Sequence, residues 1–206
     1  MFLTSVLAPP GIALASEDDD DWTLVQRCVR GDRAAFRPLV ERHQRLAYSV
    51  ALRLLNCRAD AEDVAQHAFV EAYRALHRFD GAGKPGGFRM WLLRIVVNRA
   101  KDILKSKQRQ LTSFEDGPDH GKEAEFIEPA PNPEAQAHAH AAQRELQLAL
   151  AQLPDKYRTA IVLKDVEDLS YEEMRCVLRL PITTLKIRVL RARTMMRALL
   201  SQEEKP

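Results

Sequence analysis

Between Met174 and Arg197 the chain carries Arg175, Arg179, Lys186, Arg188, Arg191, Arg193 and Arg197, and no acidic residue. Cations at that density, free of acids, suit contact with a nucleic-acid backbone and an approach to a DNA major groove. The bland alternative is a solvated basic helix in an ordinary helical domain. Solvated helices usually mix Glu with Lys, and this stretch does not.

Other groupings that do chemistry elsewhere fail here on spacing. Cys28, Cys57 and Cys176 are an odd, scattered set without C-x-x-C. They make neither a disulfide framework nor a zinc site, suit a reducing cytoplasm, and read as small buried hydrophobes. His138 and His140 lie two apart and share no helix face, so they read as solvated rather than metal-ligating. Asp80 to Gly87 is the only glycine cluster, but Lys84 precedes Pro85 and no strand leads in, so the phosphate-loop order G-x-x-x-x-G-K-[ST] is missing. It reads as a flexible loop able to admit a ligand or a base. No catalytic residue, metal or cofactor is assigned, and a nucleotide hydrolase would need a metal carboxylate in a strand context that is not visible.

The basic run must be held by helices. Ser170 and Glu173 form the S-x-x-E capping box ahead of Met174, Val177 and Leu178. Arg179-Leu180-Pro181 breaks that helix, and Pro181 suits the first turn of the next. At 100° per residue, Ile182, Leu185, Val189, Ala192 and Met196 make one stripe. Thr183, Thr184, Ile187, Leu190, Arg191 and Thr194 lie opposite, flanked by Lys186, Arg188, Arg193 and Arg197. The pattern predicts a helix-turn-helix.

The remaining chain reads as helices in two groups. Its 206 residues carry a net charge of +2 with strong segregation of sign. Residues 1–21 read as a disordered leader: the start imitates a signal peptide, but the first basic residue is Arg27 and Pro9-Pro10-Gly11 breaks the apolar run. No stretch approaches a membrane span. Helical pattern starts at Trp22, breaks at Gly31-Asp32, and resumes from Asp32 as N-cap. Asp60 is expected to cap the next helix, with Glu62 and Asp63 in its first turn. Its stripe is Val64, Ala68, Ala72 and Leu76, beside Phe69 and Tyr73; its acidic outer face suits a protein partner or only water. Phe88 to Gln110 is a second basic helix, where Phe88, Trp91 and Asn98 fit stacking on single-stranded nucleic acid, or Phe88 and Trp91 are core. Residues 111–137, rich in Pro and Glu, read as a flexible acidic linker. Leu146, Leu150 and Leu153 then precede Pro154, and Asp155 or Pro154 opens the helix that leads to the helix-turn-helix.

Two blocks carry a resemblance. The first is Asp60-Ala61-Glu62-Asp63-Val64-Ala65-Gln66 through Phe69-Val70-Glu71-Ala72-Tyr73-Arg74-Ala75-Leu76, with Phe88, Trp91-Leu92-Leu93-Arg94-Ile95 and Asn98. The second is Leu153-Pro154, Leu169-Ser170-Tyr171-Glu172-Glu173, Pro181-Ile182-Thr183-Thr184-Leu185-Lys186 and Arg191-Ala192-Arg193. In order and separation they resemble bacterial sigma factors of the extracytoplasmic-function class, group 4 of the sigma-70 family.

The resemblance implies an all-α fold: sigma domain 2 over 22–110, a linker over 111–137 and sigma domain 4 over 138–203. It implies a cytoplasmic, non-enzymatic alternative sigma factor that directs promoter recognition and strand opening in a stress or envelope response. Its partners would be core RNA polymerase (clamp helices of the largest subunit, flap of the second), promoter DNA and an anti-sigma factor. Asp60, Glu62, Asp63, Gln66 and Phe69 would meet polymerase. Phe88, Trp91, Arg94, Asn98, Lys101 and Asp102 would meet the minus-10 element, with a base flipped near Asn98. Thr183, Thr184, Lys186, Ile187, Arg188, Leu190 and Arg191 would meet the minus-35 element, the threonines near phosphate and Ile187 on a thymine methyl. The chain departs from the family at the helix-turn-helix break, where Arg179 or Leu180 stands in place of glycine, and a less tight turn is expected. A stand-alone helix-turn-helix regulator is the main rival, and it leaves the first domain and the linker without a role.

Overall fold

A computed structural model of the chain describes residues 20–81, 87–113 and 144–203. The described residues are helical, in two bundles. In the first, α1 (Asp21–Val29) leads through a 3₁₀ turn (Arg33–Ala35) into α2 (Phe36–Leu55), α3 (Arg58–Ala75) and α4 (Gly87–Ser113). The second holds α5 (144–152), α6 (Asp155–Ile161) with a π turn (Val162–Val166), α7 (Tyr171–Leu178) and α8 (Ile182–Glu203).

Local chemistry sets the boundaries. Asp20 caps α1 by accepting from Thr23 N at 2.7 Å, which satisfies one of the amides a helix start leaves bare. The described residues begin two positions inside the expected leader, and 1–19 lie outside them. Asp32 caps the 3₁₀ turn through Ala34 N. Pro38 falls in the first turn of α2, where a missing N–H costs nothing. Asn56 ends α2 with φ 50, a left-handed position that Asn tolerates.

One boundary differs from expectation. Asp60 is not the N-cap of α3; the helix starts at Arg58 after an extended Cys57. The Asp60 carboxylate is instead paired with Lys107 of α4, which ties α3 to α4. Arg58 pairs with Glu62 one turn on, at 3.1 Å.

The cores follow the apolar stripes. α2, α3 and α4 pack around Leu39, Val50, Leu54, Val64, Ala68, Leu92, Val96 and Ala100, and α6, α7 and α8 pack around Leu163, Leu169, Met174, Leu185 and Val189. Each such side chain removed from water contributes roughly 1.5–3 kcal/mol. Leu146 faces solvent, and Gln147 and Ala149 turn inward in its place. The three cysteines are free and half-buried rather than fully buried; burial, helped by Asp32, pushes the Cys28 thiol up to about 11, so it stays protonated. Most of the expected linker, the core of the glycine loop and both His138 and His140 lie outside the described residues.

The two bundles also touch. α4 packs on α7, and the end of α2 meets α6 and the π turn. A flexible linker did not suggest this contact.

Candidate nucleic-acid and polymerase interfaces

The helix-turn-helix is built as the pattern requires. Ser170 and Glu173 make the reciprocal capping box, with Ser170 N donating to Glu173 Oε2 at 2.8 Å and Glu173 N donating to Ser170 Oγ at 3.2 Å. The Ser170 N–H and the Ser170 hydroxyl, which also donates to Glu173 Oε2 at 2.8 Å, hold the Glu173 carboxyl below its usual range against the opposing effect of burial. Arg179 closes α7 at φ 53, ψ 42. The expected loosening of the turn is therefore absent: an arginine adopts the left-handed geometry that glycine usually supplies, and three residues separate the helices.

α8 buries Leu185, Val189, Ala192 and Met196 and exposes Ile187 (51%) and Leu190 (66%). Two large apolar groups kept in water at the centre of a basic face are suited to base methyls rather than to a core. Around them, Thr183, Lys186 and Arg191 are exposed, while Thr184 and Arg188 are half-buried. The bases on α8 have separate duties. Arg193 is spent internally, donating from Nε and Nη2 to both oxygens of Asp165 at 2.8 and 2.6 Å. Arg191 donates to Tyr157 Oη at 3.3 Å, a tether long enough to be exchanged for phosphate. The Lys186 ammonium lies 5.8 Å from the Tyr171 ring centre, within cation–π range.

The second site is a groove of about 310 Å³ between α3 and α4, lined by His67, Glu71, Ala75, Trp91, Arg94, Ile95, Asn98, Arg99 and Asp102. It gathers an indole for stacking, an amide able to pair with a base edge, and a cation beside an anion. Four of the expected minus-10 residues, Trp91, Arg94, Asn98 and Asp102, meet there. Asn98 is exposed and Trp91 half-buried between Phe79 and Phe88, at ring distances of 5.1 and 5.8 Å. Gly81 lies against the Phe79 ring so closely that a Cβ would collide with it. Phe88 is 1% exposed, so it does not stack on a ligand here; it is the core residue that supports Trp91. Lys101 stands off the groove, and burial, with Arg188 and Lys105 nearby, lowers its pKa. Arg94 is lowered likewise, by burial first and then by Arg179, with Asp80 opposing.

The third site is the outer face of α3. Glu62, Asp63 and Gln66 are exposed there with His67, Glu71 and a 47%-exposed Val70. Phe69, expected on this face, is 8% exposed and packs edge-on against Phe36 at 6.4 Å. It supports the face from behind, and Val70 is the apolar residue presented. Asp60 is occupied by Lys107.

His67, Tyr157 and Asp165 were given no site role by the sequence; Glu71 was read on the outer face of α3 and Arg99 among the bases of α4, and neither was expected in a groove. The i, i+4 step from His67 to Glu71, whose side chains approach to 4.0 Å, was the available signal. Its meaning depends on which face of α3 turns toward α4. Among the described residues no cluster of His, Cys, Asp or Glu is arranged to hold a metal ion, and no helix is long and apolar enough to cross a membrane.

Comparison with known proteins places these sites in a family. Residues 39–110 match the family model of sigma-70 region 2, and residues 143–196 match that of sigma-70 region 4. The chain is 35% identical over 181 residues to the RNA polymerase sigma-H factor of Pseudomonas aeruginosa, covering 85% of this chain and 91% of that one. It is 34% identical over 181 residues to the ECF RNA polymerase sigma-E factor of Escherichia coli K12, covering 86% and 93%. The structure of CnrH in complex with the cytosolic domain of CnrY superposes with a TM-score of 0.63 at 29% identity, covering 90% of this chain and all of that one. Helix for helix and block for block, the chain belongs to the extracytoplasmic-function sigma factors and is an alternative sigma factor of the sigma-70 family.

Proposed function

We propose that this sigma factor joins core RNA polymerase through the exposed face of α3, reads the minus-35 duplex with α8, and captures a flipped minus-10 base in the groove between α3 and α4. The groove is the observation that carries the reading. A stand-alone helix-turn-helix regulator has no use for a concave, mixed-charge pocket with an indole wall on a separate bundle. Extruding a base costs a few kcal/mol, and a pocket offering Trp91 for stacking and Asn98 for the base edge returns part of that cost while selecting the base. On α8, Thr183 and Thr184 at the helix N-terminus sit where amide dipoles favour phosphate. Lys186, Arg188 and Arg191 supply phosphate and base-edge contacts, and Ile187 and Leu190 supply apolar ones. Glu62, Asp63 and Gln66 lie along α3 ahead of the exposed Val70, polar groups beside an apolar one, a face that suits a protein helix pair such as the polymerase clamp. The flap of the second-largest subunit is the expected contact of the second domain.

The factor acts in the cytoplasm, without cofactor or catalysis of its own, in a stress or envelope response. An anti-sigma factor restrains it in this reading, which the family resemblance implies; the similar CnrH was solved in complex with a protein partner, the cytosolic domain of CnrY. Run-off transcription with purified core polymerase on a minus-35/minus-10 promoter library is the test. The expected result is transcription from a defined promoter that falls at least tenfold with Trp91→Ala. Failure to co-elute with core polymerase would return the chain to the class of stand-alone regulators.

A further inference from the structure

A neutral donor from outside the helix-turn-helix stands among the bases of α8. Tyr157 belongs to the first turn of α6, and α6 packs along α8. Its ring is half-buried against the core of the second bundle. The Tyr157 oxygen accepts from Arg191 Nη1 at 3.3 Å. The Lys156 ammonium lies 4.9 Å from the centre of the same ring, within cation–π range. The bond from Arg191, and then the charge of Lys156, lower the pKa of the phenol, which makes its proton a stronger donor. A hydroxyl whose oxygen accepts one bond still has its own O–H to give, and neither Arg nor Lys has an acceptor. Hydroxyl, guanidinium and ammonium therefore converge as donors only.

The neighbouring acids are engaged by other cations. Asp155 lies 3.6 Å from Arg158 Nη2, and Asp165 lies 2.6 Å from Arg193 Nη2. Among the described residues Lys156 and Arg191 pair with no acid, and both are exposed. Two such cations beside a donor hydroxyl suit an anion with several oxygens, and on DNA that anion is a phosphodiester.

Spacing places the phosphate on a duplex. Thr184 and Arg191 fall within about 20° of each other around α8 and about 10 Å apart along its axis. A major groove is about 12 Å wide. A helix crossing the groove with its first turn against one phosphate wall brings Arg191 and the start of α6 to the other. Resting on the proposed assignment of α8 to the minus-35 duplex, we propose that Lys156 and Tyr157 of α6 join Arg191 in a phosphate clamp on the wall of the groove opposite the threonines. The clamp grips without reading sequence. Arg191 is then a backbone contact oriented by Tyr157, and discrimination between bases falls to Lys186, Ile187, Arg188 and Leu190.

Fluorescence anisotropy of the full-length chain on a minus-35 duplex and on a scrambled duplex, over a range of salt, tests the clamp. Lys156→Gln is expected to weaken both complexes by the same factor, roughly three- to tenfold, and to reduce the slope of log K against log salt by about 0.9, the share of one phosphate. Tyr157→Phe keeps the ring and its packing. Its expected loss, roughly two- to fivefold, is again equal on both duplexes, with the slope retained because a neutral hydroxyl displaces no counterion. A neutral methylphosphonate placed in turn at each phosphate of the minus-35 duplex locates the contact: wild type is expected to lose affinity at one position where Lys156→Gln loses nothing further. Thermal unfolding at the wild-type temperature shows that the variants are folded, and Lys156→Gln, at an exposed position, carries the test if Tyr157→Phe is not. An unchanged slope and an unchanged methylphosphonate profile in Lys156→Gln would overturn the clamp. A fall in preference for the minus-35 duplex in folded Tyr157→Phe would overturn it as well, making Arg191 a base reader. Inorganic phosphate at constant ionic strength is expected to compete with duplex no better than chloride; competition that Lys156→Gln abolishes would give the site to free phosphate instead. A wild-type chain without preference for the minus-35 duplex removes the assignment of α8, and the clamp with it, whereas a wild-type preference with unaltered variants removes the clamp alone.

Discussion

The two regions proposed to face DNA solve opposite problems. α8 is convex. Thr183, Lys186, Ile187, Leu190 and Arg191, all in the proposed reading set, stand in water on a single helix, over a buried stripe of Leu185, Val189, Ala192 and Met196. The groove beside α4 is concave and belongs to no one helix: His67 and Glu71 come from α3, and Trp91, Asn98 and Asp102 from α4. A duplex offers its edges to a rigid rod, whereas a single flipped base must be enclosed. One helix is enough for the first task and two are needed for the second.

The largest expected effect concerns what holds the convex reader in place. Arg158 is buried and donates to the carbonyls of Leu150, Ala151, Leu153 and Leu54. Arg158→Ala leaves four acceptors without their donor and is expected to cost about 3–5 kcal/mol, from the loss of a buried, charged hydrogen-bond hub. Denaturant unfolding followed by tryptophan fluorescence and by circular dichroism separates the bundles, because Trp22 and Trp91 both lie in the first. Helix loss that precedes the tryptophan transition is the expected order, and coincident transitions would merge the two regions into one cooperative unit.

A reciprocal pair comes next. Asn98→Ala should cost roughly 1–3 kcal/mol in open-complex formation, the range of a specific base contact, and leave binding to a minus-35 duplex intact. Arg191→Ala should do the reverse. Permanganate reactivity of unpaired thymines and duplex anisotropy read the two arms, and equal losses in both assays for either variant would collapse the distinction.

A smaller effect tests the turn. Arg179 holds φ 53, where a Cβ costs roughly 1 kcal/mol relative to glycine. Arg179→Gly should stabilise the protein by about 0.5–1 kcal/mol in thermal unfolding while weakening promoter binding; a gain in both would show the arginine has no role at DNA.

Acid separates the bundles more gently. Asp20, Asp21 and Asp32 are held below the usual carboxylate range. The cause is Thr23 at Asp20 and Arg27 at Asp32; at Asp21, bonds to His43 and Arg42 outweigh burial. A carboxyl whose folded pKa is depressed adds stability above its unfolded value and loses it as pH falls through the folded one. All three flank α1, so hydrogen exchange below about pH 4 is expected to loosen α1 before α8. Uniform loosening would refute that order.

This contrast also explains what the sequence made legible. The helix-turn-helix was readable because its design is local: the capping box of α7 and the buried stripe and exposed face of α8 are set by residues within 30 positions of each other. Phe69 and Phe88 were assigned to contacts and are core, because an apolar residue beside a stripe does not reveal which side closes over it. Asp60 satisfied the capping pattern, but Lys107, 47 positions away, took its carboxylate. The groove, the tether from Arg191 to Tyr157 and the bonds from Gln147 and Arg158 to the end of α2 all pair residues whose proximity only the assembled bundles create. Asn98, by contrast, stood out as a polar residue on a basic helix with aromatics at its start, and the family resemblance added the flipped base.

The ion pair between Arg193 and Asp165 works as an indexing pin. Two parallel hydrogen bonds to one carboxylate fix the azimuth of α8 about its own axis, and each residue occupies 100° of that circle. Which side chains point outward is thus determined partly by a residue on the π turn, outside the set proposed to read DNA. With α8 as the proposed reader, substitution of Asp165 alone would shift promoter preference, by rotation of an unchanged alphabet.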